Sequence, residues 1–108
     1  MTIITASTED KKILYKLTRD RSRKPMKGAV GILPVDAYAI YEDVNNATGE
    51  VVTLASILSG TDLFTTNSAT FIDDFGAIVE AFPDVKRVSV EKMTSKKNRE
   101  FLVCCMAD

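Results

Sequence analysis

Apolar residues along this chain follow two periods. From Phe71 the apolar positions run through Ile72, Phe75, Ile78, Val79 and Phe82, at spacings of 1, 4, 7, 8 and 11 from the first. At 3.6 residues per turn these share one face, which predicts an amphipathic helix near residues 68–82. Asn67 or Ser68 supplies a capping side-chain oxygen. Asp73 and Asp74 fall in the early turns, where the helix dipole favours negative charge, and Pro83 stops the helix. Beyond Pro83 the period drops to 2. Val88 and Val90 alternate with Arg87, Ser89 and Glu91, so one face of a strand is apolar and the other polar. Residues 94–98 read as a turn, and residues 101–106 as an apolar strand that closes a core.

Period 2 also describes most of the chain before the helix. Residues 11–18 read as a first strand with Ile13, Tyr15 and Leu17 on one side. Residues 1–10 carry few apolar side chains and are expected to fray. Residues 19–25 have no apolar period and resemble a flexible basic arm ending in Pro25. Short strands follow at 28–33, 35–44, 50–58 and 63–66, separated by Pro34 and by turns at 45–49 and 59–62. Strands dominate, with one helix before a final hairpin. The expected fold is therefore mainly β (α+β), a single domain over residues 11–108. Its form is an antiparallel barrel like the oligonucleotide-binding (OB) fold, with about five to six strands and the helix plugging one end. A flat antiparallel sheet with the helix across one face is the alternative.

Length and composition narrow the function. At 108 residues the chain has room for one domain, burying about 65% of its unfolded surface. No apolar run approaches the ~20 residues of a membrane helix. Residues 1–9 lack the basic start and apolar run of a signal peptide. The two cysteines, Cys104 and Cys105, are neighbours on a strand and point to opposite faces, so they read as reduced thiols of a cytosolic protein, one of them in the core. The chain has no histidine, which excludes His-based triads and His metal ligands. No zinc cluster and no phosphate-cradling glycine loop is present. The adjacent carboxylates Glu42–Asp43 and Asp73–Asp74 point apart on a strand or helix. The expectation is a binding protein with no enzymatic activity, cofactor or metal.

Charge supplies the positive signal. Residues 11–27 hold eight Lys/Arg and one Asp, and residues 86–99 hold six Lys/Arg and one Glu. The 58 residues between them contain nine acids and no base. A solvated edge that blocks aggregation explains either block alone, but not this segregation, which creates local fields that a net charge of −1 conceals. Single-stranded nucleic acid is held by cations along its phosphates and flat side chains against its bases. The candidate cations are Lys16, Arg19, Arg21, Arg23, Lys24 and Lys27 in the first block, and Lys86, Arg87, Lys92, Lys96, Lys97 and Arg99 in the second. The candidate stacking residues are Tyr38 and Tyr41, then Tyr15 and Phe101. Both blocks are expected on one face, with the acidic span opposite.

The run from Gly28 to Met106 resembles the single-stranded-DNA-binding proteins of small tailed bacteriophages that replicate by protein priming. The resemblance lies in an Ala- and Tyr-rich strand (Val35 to Tyr41), a turn with an acidic loop (Asn45 to Glu50) and a Gly-Thr turn (Ser59 to Asp62). It continues through the amphipathic helix (Ala69 to Phe82), a Val-rich strand, a Thr94-Ser95-Lys96 turn and an apolar closing strand. It implies an OB-like fold, sequence-independent binding of single-stranded DNA, and a role in phage DNA replication in the host cytoplasm. It assigns no individual contact residue. Two other readings stand beside it. The chain is a small phage protein that binds and inhibits a host protein through the acidic surface of residues 28–85, or an assembly module that forms a homo-oligomer through an exposed strand edge.

Overall fold

The computed structural model describes residues 1–107; Asp108, counted with the domain on sequence grounds, lies outside them. The described residues form eight strands and two helices. Strands β4 (Ala37–Val44), β5 (Val51–Ser59) and β6 (Asp62–Thr66) form a meander, as their alternation predicts. Strand β1 (Thr2–Ala6) pairs antiparallel with β4, and β2 (Lys24–Pro25) pairs parallel with β6. The resulting five-stranded sheet has the order β1-β4-β5-β6-β2. Strands β3 (Gly31–Pro34), β7 (Arg87–Thr94) and β8 (Glu100–Met106) form a second, antiparallel sheet in that order.

Helix α2 (Ala69–Ala81) lies where the 3.6 period places it, with the Ser68 hydroxyl accepting from the Phe71 N–H. Its residues Phe71, Phe75 and Val79 enter a core between the sheets. That core takes Tyr38, Ile40, Ala55 and Ile57 from one sheet, and Val88, Val90, Leu102 and Cys104 from the other. Phe82, one of the six apolar positions of the predicted face, is instead the C-cap and half exposed at 51%. Its backbone has already left the helix, so the period no longer positions its side chain.

Three expectations change. Residues 11–18 are not a strand but part of helix α1 (Lys11–Arg19). Residues 13 and 17 share a side at period 2 and at period 3.6 alike, and the cap decides between them. The Asp10 carboxylate accepts the N–H groups of Lys12 at 2.8 Å and Ile13 at 3.3 Å. Leu17, with Ile13 beside it, packs on Ala37, Ala39, Tyr41 and Leu63, the opposite face of the five-stranded sheet. Tyr15 points to solvent, 69% exposed. Residues 1–10, expected to fray, hold β1, whose Thr-Ile-Ile-Thr run is β-branched throughout. A bulge at Ile4 interrupts its pairing with β4. Finally, the sheets are not closed into a barrel: there are eight strands in two sheets and two helices rather than one.

The reason is visible at the outer edge of β8, the seam a barrel would zip. Helix α2 lies along it. The Ser68 hydroxyl donates to the Leu102 carbonyl at 3.4 Å, and the Asp74 carboxylate accepts the Cys104 N–H at 3.2 Å. Asp74 therefore serves the sheet, beyond the dipole role its position suggests. The other edges differ in length and chemistry. β2 is two residues ending in Pro25, β3 is four ending in Pro34, and β1 is five uncharged residues. No helix among the described residues is long and apolar enough to cross a membrane.

Candidate nucleic-acid interface

The basic arm is ordered by its own short-range chemistry. After α1, the Asp20 carboxylate accepts from the Ser22 N–H at 2.8 Å and the Ser22 hydroxyl at 2.7 Å, closing a turn. These bonds, helped by the charges of Lys16 and Arg23, hold the Asp20 carboxyl below its ordinary pKa. The chain then pairs with β6 through Lys24 and Pro25, and Met26 buries its side chain at the start of a 3₁₀ turn, Met26–Ala29. A segment that composition describes as flexible is thus pinned at both ends.

Pinning it builds a groove. A cavity of about 540 Å³ is lined by Arg21, Arg23, Lys24 and Lys27 along the arm and by Thr65, Thr66 and Asn67 at the entry to α2. A second, of about 460 Å³, shares Lys27 and Leu102 with the first and adds Ser68, Lys92 and Phe101. A third, of about 500 Å³, shares Lys24 and Lys27 and adds Phe64. Five cations from both basic blocks therefore border three adjoining cavities that share Lys27, with the half-buried rings of Phe64 and Phe101 beside them and the carboxylates of Asp20, Asp62 and Glu100 among the linings. Two cations are in exposed ion pairs, Lys24–Asp62 at 2.7 Å and Lys92–Glu100 at 3.6 Å. Such pairs contribute about 0–1 kcal/mol, so both ammonium groups can change partners at small cost.

The remaining candidate cations divide. Lys96, Lys97 and Arg99 are exposed on the β7–β8 turn, just beyond the last strand pair, Thr94–Glu100, on the hairpin that carries Lys92. That turn is closed by the Ser95 N–H on the Arg99 carbonyl at 2.8 Å and by Asn98 in the left-handed region at φ 60°. Lys86 and Arg87 sit at the other end of β7, about 23 Å from Thr94 at 3.3 Å per residue. Lys86 there borders a separate cavity with Asp36 and Asp84. Lys16 and Arg19 lie on α1, and Arg19 pairs with Asp43 at 3.3 Å.

Both stacking tyrosines are core residues, which corrects the sequence expectation. Tyr38 is 2% exposed; its ring meets Phe75 edge-on at 5.4 Å, and its hydroxyl donates to the Pro83 carbonyl at 2.9 Å. Burial, with the nearby Asp84 charge, raises its phenol pKa. Tyr41 is fully buried, with Ser56 Oγ at 3.1 Å from its hydroxyl. Because β4 is covered on both faces, neither parity of its alternation exposes a ring.

Comparisons with family models, curated proteins and solved structures give no match to this chain.

Three acids of the 28–85 span are engaged with other parts of the fold. Asp43 and Asp62 pair with first-block cations, and Asp74 is engaged at the β8 edge. Among the described residues, no group of three His, Cys, Asp or Glu is placed to hold a metal. What sequence reasoning missed is the polar wall, Thr65, Thr66 and Asn67, together with Phe64. Their only signal is a polar run before a helix, which reads as capping and says nothing of the arm packed opposite.

Proposed function

We propose that this protein is a non-enzymatic single-stranded-DNA-binding protein, working in phage DNA replication in the host cytoplasm, with the strand lying in the basic groove. The observation that carries the reading is that Arg21, Arg23, Lys24 and Lys27 line one cavity and Lys92, from a block far away in sequence, lines an adjoining one that shares Lys27. Cations along the phosphates and rings beside the bases are what a sequence-tolerant single-strand site uses. Phe64 and Phe101 take the stacking role expected of the tyrosines. In this reading the fold is an OB-like barrel opened where α2 replaces the closing strand pair.

Fluorescence anisotropy with a labelled oligothymidylate tests it. With four or five phosphates engaged, log K falls with log salt at a slope of about −3, from about −0.7 per phosphate. Replacing Lys24, Lys27 and Lys92 by Ala flattens the slope and weakens every sequence alike, whereas replacing Lys86 and Arg87 changes little. Equal affinity for duplex, or no binding at low salt, would refute the reading and favour a protein partner.

A further inference from the structure

Arg23 is the one groove cation whose guanidinium is tied to the core. Its Nη1 donates to the Thr18 carbonyl at 3.1 Å and to the Tyr41 hydroxyl at 2.9 Å. The Tyr41 hydroxyl lies 3.1 Å from Ser56 Oγ, which lies 2.9 Å from Thr65 Oγ1. Arg23 and Thr65 both line the 540 Å³ cavity. A hydrogen-bonded chain thus starts at one wall of the groove, passes through the sheet beneath it, and ends at the other wall. The Tyr41 hydroxyl also faces the Leu17 carbonyl at 3.5 Å; with its proton turned to Ser56 instead, the hydroxyls donate in the same sense along the chain, an arrangement in which each bond strengthens the next.

Nη1 is the only Arg23 nitrogen with a partner among the described residues. The edge formed by Nε and Nη2 keeps its parallel N–H pair, the geometry that matches two oxygens of one phosphate. We propose that Arg23 is a preorganised seat for a phosphodiester group and that Tyr41 is its positioning residue, holding the guanidinium from behind. This rests on the reading of the groove as a single-strand site. The planar fork is required, because an ammonium cannot be tied at one nitrogen and offer a parallel pair from two others.

The test is a double-mutant cycle with oligothymidylate. Tyr41→Phe should weaken binding about fivefold, the worth of one hydrogen bond, and Arg23→Lys should weaken it at least as much although the charge is kept. In the Arg23→Ala background Tyr41→Phe should cost nothing more. An equal loss in both backgrounds would make Tyr41 merely structural and overturn the proposal, as would full affinity in Arg23→Lys. Should Tyr41→Phe fail to fold, the unmodified protein still decides. Restricted guanidinium rotation at Arg23, seen by NMR as resolved Nη signals without DNA, is expected, and averaged signals like those of Arg21 would overturn it. Failure of the unmodified protein to bind at low salt is a different result, and it removes the groove reading itself.

Discussion

Phe75 is the most informative single truncation in this fold. It has no exposed surface and stands midway along the buried face of α2, between the two sheets. Its ring packs edge-on against Tyr38 at 5.4 Å and 85°, and stacks on Phe71 at 5.8 Å and 24°. Phe75→Ala deletes the ring from a site walled on both sides by hydrogen-bonded strands, which cannot collapse inward, so a cavity persists. Buried Phe→Ala changes cost about 3–5 kcal/mol, and loss of two aromatic pairs, each about 0.5–1.5 kcal/mol, places this one at the upper end. Against a total stability of about 5–15 kcal/mol, the melting temperature should fall by about 20 °C or the protein should not fold. Phe82→Ala, on the same helix but half exposed, should cost under about 0.5 kcal/mol. Thermal and urea melts followed by circular dichroism measure both. A Phe75→Ala variant melting within a few degrees of the parent would refute the packing of α2 between the sheets.

Other outcomes follow from named contacts. Asp10→Ala removes the α1 cap and should cost about 1 kcal/mol in urea melts. Asp74→Ala leaves the Cys104 N–H without its acceptor; that amide should exchange markedly faster in deuterated buffer than in the parent, while those of β5 do not change. A disulfide reagent at neutral pH should titrate one thiol, Cys105, in the native protein and both after unfolding, because Cys104 is buried and Cys105 exposed. Burial pushes the Cys104 thiol up to about 12 from 9.0. Since the unfolded state loses that proton first, stability is intact below pH 9 and declines from there towards pH 12; Cys104→Val should flatten that decline.

The sequence speaks clearly where one short-range rule acts alone. Helix α2, the β4–β5 and β7–β8 turns, and the opposed fates of Cys104 and Cys105 all follow from period, turn chemistry and strand parity. It speaks ambiguously at residues 13–17, where both periods fit and only Asp10, outside the window, selects a helix. It is ambiguous on β4, whose alternation leaves either tyrosine as the outward ring and does not show that both faces are covered. Tyr38 and Tyr41 were therefore legible as aromatics on a strand, and illegible as buried ones. The groove divides the same way. Charge segregation marks the two blocks, yet which cations meet depends on where β7 ends. One strand puts Lys92 beside Lys27 and carries Arg87 away to the far end of the same sheet.

The unequal edges of the two sheets set how copies of this protein can associate through their backbones. Helix α2 occupies the rim of β8, and prolines end the short β2 and β3. Among the described residues, only β1 offers a rim with neither charge nor proline, bent by its bulge at Ile4. A molecule with two open rims polymerises, since every added copy presents a fresh one. A molecule with a single open rim spends it on its first neighbour, and an antiparallel pairing of two such rims closes on itself. Any growth by strand addition through β1 would thus end at two molecules, with the helix that also fills the core guarding the β8 rim.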